Sequence, residues 1–262
     1  MPELPDVEGM KEYLASHALN QKIVRTTVRD EQLMGDVSTA KLQRLLKGAR
    51  LTDARRHGKH LFAPTSAGPA LMLHFGMTGE LHYVEKGDDE PEYTKVLFEF
   101  SGGDRLAYVC PRRLGQVDLA EDIESYIEQQ DLGPDAEDLN ADQFREIVGE
   151  RRGSIKHTMM DQSSIAGLGN VYTDEILFQA RIHPKTTASD LDDDALSNLS
   201  RIMHRVLNTA IKHGGNSDEF PDWWLIHRRS EGSTCSKCGG EVQRIEVSGR
   251  GTYYCPGCQR KS

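Results

Sequence analysis

The sequence has no run of about 18 apolar residues, the length a helix needs to cross a bilayer, so no membrane partner is expected. It also lacks the basic start and apolar stretch of a secretory signal. The opening MPELPDVEG is polar and acidic, and a cytoplasmic location is the expectation. Cysteine is scarce: five in 262 residues, four of them within the last 28. That clustering fits a metal site plus one separate thiol, Cys110, better than a disulfide framework. Internal repeats and low-complexity tracts are absent as well. Net positive charge is missing too, since the formal charge is −9, which on average argues against a nucleic-acid partner.

The average hides a strong asymmetry. Residues 118–150 carry twelve Asp and Glu against Arg145 alone, a net of −11, whereas residues 227–262 carry a net of +4. An acidic belt beside a basic tail is compatible with a directional nucleic-acid face, although the belt by itself reads as solvated surface.

What is present falls into three stretches. Val7, Met10, Leu14 and His17 recur at helical spacing, which predicts a helix over residues 6–16. KIVRTTV, ALMLHF, ELHYV, KVLFEF and RLAYV follow, short β-rich runs separated by SAGP, KGDD and SGGD, and they predict an antiparallel sandwich. The acidic stretch containing LGPDAEDL reads as a connector. Helical patterns then occupy residues 141–150, 154–161, 170–180 and 192–213, the last with one long apolar face closed by Gly214–Gly215. The expected class is therefore α+β. Its expected parts are a sandwich domain over 1–130, a helical domain over 131–226 and a metal-organised hairpin over 227–262.

Cys235-x2-Cys238 and Cys255-x2-Cys258 stand sixteen residues apart. Each tight turn presents two thiolates, and the pair completes a tetrahedral sulfur shell suited to one structural zinc. Zinc ribbons serve many proteins, so this site by itself does not name a function.

At the other end, Pro2 follows the initiator Met, a context in which the Met is removed and a secondary amine is left. An α-amine titrates at about 7.7–8.0, far below a lysine, so a useful fraction is unprotonated at neutral pH. Attack on a carbon at the carbonyl oxidation level gives an iminium ion with no N–H proton to lose, a lasting electron sink. Glu3 stands beside it as a candidate proton shuttle. A retained Met1 would turn the amine into an amide and abolish that chemistry. Taken alone, a Pro-Glu start is unremarkable.

The motifs taken together are not. MPELPDVEG, RRHGKHLF, LHFGMTGEL, YVCPRRLGQ, LGPDAEDL, QSSIAGLGNVYTDEILFQARIHP and GRGTYYCPGCQ, in this order, resemble the formamidopyrimidine-DNA glycosylase/endonuclease VIII family. PELP leans toward the formamidopyrimidine branch. The resemblance spans essentially the whole chain and implies a bifunctional glycosylase/AP lyase. Such an enzyme excises oxidised bases, of formamidopyrimidine and 8-oxoguanine type, through a Schiff base and β,δ-elimination. Its partner would be double-stranded DNA holding damaged bases or abasic sites, and it would work as a monomer. The resemblance implies Pro2 as nucleophile at C1′, Glu3 as acid/base and Lys59 as a catalytic support near the phosphates. It gives phosphate contacts to His74, to Asn170 in a helix–two-turn–helix, and to Arg250 at the tip of the zinc hairpin. Met77, Arg112 and Leu114 would fill the gap left by an extruded nucleotide. Glycines 167 and 169 would let a phosphate approach a helix entrance.

Several positions depart from the family's pattern. Leu114 stands where relatives usually carry an aromatic, Asp6 where they carry Glu, and Cys110 where they commonly carry Asp. The segment between Gly215 and Cys235 is short, and His227 is its nearest substitute for the family's phosphate-binding Tyr. Trp223 and Trp224 are expected to pack the helical domain. These departures keep open a preference for oxidised pyrimidines or other lesions, or a damage binder without turnover. A zinc-ribbon transcription or replication factor would explain only the tail.

Overall fold

The computed structural model describes residues 2–260. Pro2 with Asp6–Gln130 makes one compact unit, and Glu3–Pro5 with residues 131–260 makes another.

Helix α1 (Leu4–Ala18) leads into the first unit, followed by β1 (Ile23–Val28) and α2 (Thr39–Leu46). The strands β2 (Arg55–His57), β3 (His60–Pro64), β4 (Ala70–His74) and β5 (Glu80–Val84) come next. β6 (Thr94–Phe100), β7 (Arg105–Val109), β8 (Gln116–Ala120) and helix α3 (Ile123–Gln129) complete it. Two four-stranded antiparallel sheets result, ordered β1-β6-β7-β5 and β2-β3-β4-β8. Because side chains alternate across a strand, one face of each sheet enters a shared core. Leu61, Leu71 and Leu73 come from one sheet, Phe98, Phe100, Leu106 and Tyr108 from the other, and α1 adds Val7 and Leu14. This is the expected sandwich.

In the β2-β3-β4-β8 sheet, β3, β4 and β8 are buried on both faces. Phe62 and Met72 point away from the main core and pack with Ala70, Ala120 and Tyr126 of α3. Each such side chain, fully removed from water, contributes about 1.5–3 kcal/mol. Two-sided burial replaces alternation with continuous apolar character, which is why HLFAP did not read as a strand. The acidic stretch is likewise more than a connector. Asp118 turns its carboxylate onto the N–H groups of Asp36, Val37 and Leu119, and α3 follows, capped by Asp122. LGPDAEDL then bridges Asp135 to Ala166 and buries Ala136 and Leu139.

The second unit contains α4 (Ala141–Gly149), α5 (Ile155–Met160), α6 (Asn170–Ala180) and α7 (Asp193–Lys212), then the hairpin β9 (Gln243–Val247) and β10 (Arg250–Tyr254). Side-chain caps fix the helix starts: Asn140 with Gln143 in a capping box, Ser154 on α5 and Asp192 on α7. The apolar stripe of α7, including Leu199, Met203, Val206 and Leu207, packs with Phe144, Ile155, Ile176 and Leu4. α6 lies inside this core, with every residue from Tyr172 to Gln179 buried, the charged Asp174 and Glu175 among them.

Candidate active site and nucleic-acid interface

The residue next to the candidate nucleophile is held with unusual firmness. Glu3 is 1% exposed, and its carboxylate accepts N–H groups from Gly169 (2.9 Å), Val171 (2.8 Å) and Tyr172 (3.2 Å). Helix α6 has no side-chain cap of its own, because Gly169 occupies the N-cap position. Glu3 therefore supplies the acceptor that the helix's first N–H groups require. Only glycine fits at 169, where a Cβ would fall 2.3 Å from the Glu3 carboxyl carbon. At the helix entrance expected to receive a phosphate, the N–H groups of Gly169, Val171 and Tyr172 are thus taken by Glu3. Leu4 N–H adds a bond to Gly167 O at 3.1 Å, and Pro2 is half-buried.

Asn170 opens α6 and does not point at that carboxylate. Its side-chain oxygen accepts from Lys156 Nζ at 2.6 Å, and its Nδ2 donates to Gly251 O at 3.0 Å. Gly251 lies next to Arg250, which is exposed and starts β10 straight after the Ser248–Gly249 turn. Both turn residues have positive φ, 50° and 72°, the conformation a two-residue hairpin demands. Behind Asn170, Lys156 Nζ also donates to Asp174 Oδ1 at 2.6 Å. The second oxygen of Asp174 receives Arg229 Nη2 at 2.8 Å and Tyr253 N–H at 3.1 Å. Burial pushes the Asp174 carboxyl up and the Lys156 ammonium down from their usual ranges, and their mutual attraction opposes both shifts. Lys156, Asp174, Arg229 and Thr252 were not anticipated from sequence. The available signal was a pair of charges, Lys156 and Asp174, inside otherwise apolar helical patterns.

In the first unit, Lys59 sits in the turn between β2 and β3 and is half-buried. His74 ends β4; its Nδ1 accepts the Gly76 N–H at 3.4 Å, leaving Nε2 as the donor of a neutral ring. Burial, then the nearby Lys59 charge, lowers its pKa from the usual value. The neighbouring His60, 5.0 Å away ring to ring, is driven down to about 3 by burial and by surrounding positive groups. Both rings are therefore neutral at physiological pH.

Met77, Arg112 and Leu114 are brought together on two loops. Met77 is 40% and Leu114 55% exposed, so neither is a core residue. Arg112 is exposed, with Nη1 3.8 Å from the Met77 sulfur. The loops beneath are packed backbone on backbone: a Cβ at Gly76, which has φ of +58°, would lie 2.2 Å from the Leu114 carbonyl oxygen. Tyr108 donates its hydroxyl to His74 O at 2.7 Å, and Phe75 and Cys110 are buried in the sandwich core. Exposed tips on a rigid base suit a wedge.

The four candidate zinc ligands converge. All four sulfurs lie within 4.8 Å of one another, with Cys235–Cys258 at 3.8 Å and Cys238–Cys255 at 3.4 Å. Bonds of about 2.3 Å to a tetrahedral zinc require sulfurs about 3.8 Å apart, so the set fits that ion with no open position. Phe178, Leu225 and Val242 pack with Cys235 and Cys255, seating the finger on α6. In the short segment before it, Trp224 is buried against Phe220 as expected, whereas Trp223 is 41% exposed. His227 is exposed and its Nε2 lies 3.3 Å from Phe220 O. No helix among the described residues is long and apolar enough to cross a membrane.

Comparison with known proteins covers the same three stretches. Residues 1–117 match the formamidopyrimidine-DNA glycosylase N-terminal domain, 132–222 the formamidopyrimidine-DNA glycosylase H2TH domain, and 232–260 the zinc finger found in FPG and IleRS. The formamidopyrimidine-DNA glycosylase of Heliobacterium modesticaldum is 32% identical, with 99% of this chain and 100% of the relative covered. The Arabidopsis thaliana protein of that name is 31% identical over 99% of this chain and 71% of its own length. Among solved structures, the Lactococcus lactis enzyme bound non-covalently to abasic-site DNA superposes with a TM-score of 0.89 at 28% identity, covering 99% of this chain and 100% of that one. MutM in complex with DNA containing carbocyclic 8-oxoguanine gives 0.90 at 30% identity, with the same coverage. By sequence over its whole length and by fold, this chain belongs to the formamidopyrimidine-DNA glycosylase family.

Proposed function

We propose that the protein is a bifunctional DNA glycosylase/AP lyase whose nucleophile is the α-amine of Pro2, and that oxidised purines of the formamidopyrimidine and 8-oxoguanine type are its bases. The observation that carries this is the clamp on Glu3. The carboxylate one residue beyond Pro2 is buried and bonded to three N–H groups. Such a clamp positions an amine to within the tolerance that covalent catalysis needs.

In this mechanism the Pro2 nitrogen bonds to C1′ as the glycosidic bond breaks. The sugar ring opens with its oxygen protonated, and the resulting iminium draws electrons from C2′. Loss of the C2′ proton expels the 3′ phosphate, and a second elimination expels the 5′ phosphate. Glu3 moves the proton at the ring oxygen, and Lys59 supports the charge on the phosphates. His74, Asn170 and Arg250 hold the backbone, with His74 donating from Nε2 as a neutral ring. Met77, Arg112 and Leu114 occupy the vacated stack. The functional parts are 1–130 for chemistry, 131–226 for the helix–two-turn–helix and 227–262 for the zinc finger, in a cytoplasmic monomer.

A second reading shifts the preference toward oxidised pyrimidines. It is favoured by Leu114, an exposed aliphatic wedge that stacks poorly on a base, and by the short 216–234 segment. Borohydride trapping decides among these readings. Met-processed protein, verified by intact mass, is incubated with duplexes carrying an abasic site, 8-oxoguanine or an oxidised pyrimidine. A covalent adduct that Pro2→Gly abolishes is expected, and the lesion that traps names the preference. Intact binding with no adduct on any duplex would overturn the lyase assignment and leave a damage binder.

A further inference from the structure

Lys156 is wholly buried, and each of its three ammonium protons has an acceptor: Asn170 Oδ1, Asp174 Oδ1 and Thr252 Oγ1 at 2.7 Å. Thr252 passes the connection on, donating its hydroxyl to Arg250 O at 3.0 Å. A single ammonium thus governs both candidate phosphate contacts of this unit. It holds the oxygen of the Asn170 amide, so that the NH2 end faces Gly251 O and keeps one N–H for an outside acceptor. Through Thr252 it also holds the backbone of Arg250.

The ammonium is itself fixed by Asp174. The Asp174 side chain is fully buried and bridges Lys156, Arg229 and the Tyr253 N–H, three elements far apart in sequence. Removing its charge would leave Lys156 and Arg229 as buried cations facing a neutral group, an arrangement that relaxes by displacing one of them. Either displacement moves an anchor of Asn170 or of the hairpin.

We infer that Asp174 is a positioning residue, which through Lys156, Thr252 and Tyr253 sets Asn170 and Arg250 as one preorganised phosphate clamp. The inference rests on the proposal that those two residues contact DNA phosphates.

A double-mutant cycle tests it on full-length, zinc-loaded protein, using a duplex with a tetrahydrofuran abasic analogue that the lyase cannot cleave. Asp174→Asn is expected to raise Kd on the order of tenfold, with Arg250→Ala in the Asp174→Asn background costing much less than it does alone. Zinc content should stay at one per chain. Single-turnover cleavage of abasic duplex at saturating enzyme should stay within about twofold, since the clamp grips and does not react. Thr252→Val, which removes only the relay, should shift Kd in the same direction by less and also fail to add to Arg250→Ala. It carries the test should Asp174→Asn not fold. Strict additivity, unchanged affinity, or a loss in the single-turnover rate with Kd preserved would overturn the inference. If Arg250→Ala and Asn170→Ala each bind as tightly as the parent with an unchanged salt slope, the phosphate reading itself fails.

Discussion

Replacing Glu3 with Gln separates the structural role of this carboxylate from its proposed role in catalysis. Glu3 Oε2 serves Gly169 and Tyr172, and Oε1 serves Val171. A glutamine can place its one oxygen where Oε2 stands, but its NH2 then confronts the Val171 N–H, donor against donor. Leaving that buried N–H without an acceptor costs about 1–3 kcal/mol. Loss of the negative charge at the start of α6 adds up to about 2 kcal/mol in a buried setting. The sum, about 1–5 kcal/mol, is a sizeable part of the roughly 5–15 kcal/mol that a domain has. Thermal unfolding followed by circular dichroism should show the transition lowered by roughly 2–20 °C, at about 2–4 °C per kcal/mol for a chain of this size. Base release should fall as well. A midpoint within about 1 °C of the parent would refute the capping argument, whatever happens to activity, because Gln would then satisfy the helix as well as Glu does.

Three further outcomes are expected. Cys255→Ser should lose zinc, read by metal analysis, and DNA affinity together, since the hairpin that carries Arg250 depends on the ion; full affinity without metal would remove the structural claim. Leu114→Ala should change unfolding free energy by less than about 0.5 kcal/mol, as at an exposed site, while slowing excision; a cost of about 2–5 kcal/mol would mark a core residue instead. His60, near 3 in the fold against 6.5 unfolded, binds fewer protons folded than unfolded. Stability should therefore decline as pH falls below about 6.5, and His60→Phe should flatten that decline in urea titrations between pH 6.5 and 4.

The parts of the fold that sequence revealed are those where one local pattern decides the outcome. ELHYV and RLAYV became β5 and β7 without adjustment, and α6 begins and ends where its pattern does. HLFAP and QVDLA failed to register because two-sided burial erased alternation in one, and because Asp118 in the other is a charge satisfied by backbone N–H groups from a distant loop. The cysteine quartet was plain from spacing, and Pro2 and Glu3 from chemistry combined with family likeness. The Lys156–Asp174 network is marked in the sequence only by two charges inside apolar helical patterns, and its connections are not legible there, since Lys156 and Thr252 meet across 96 positions. The seat of Glu3 at the entrance of α6 is hidden for the same reason: Gly169 is 166 residues away.

That long reach from Glu3 to α6 also imposes an order of assembly. During synthesis, residues 3–5 emerge well before Gly167–Tyr172 and find no seat until those have been made and folded. Residues translated early are thus placed late, and loop closure over such a distance is slow. On the mechanism proposed here, the delay is useful. Until Gly167–Tyr172 fold, the backbone beside Pro2 is unclamped and open to enzymes that act on extended chain.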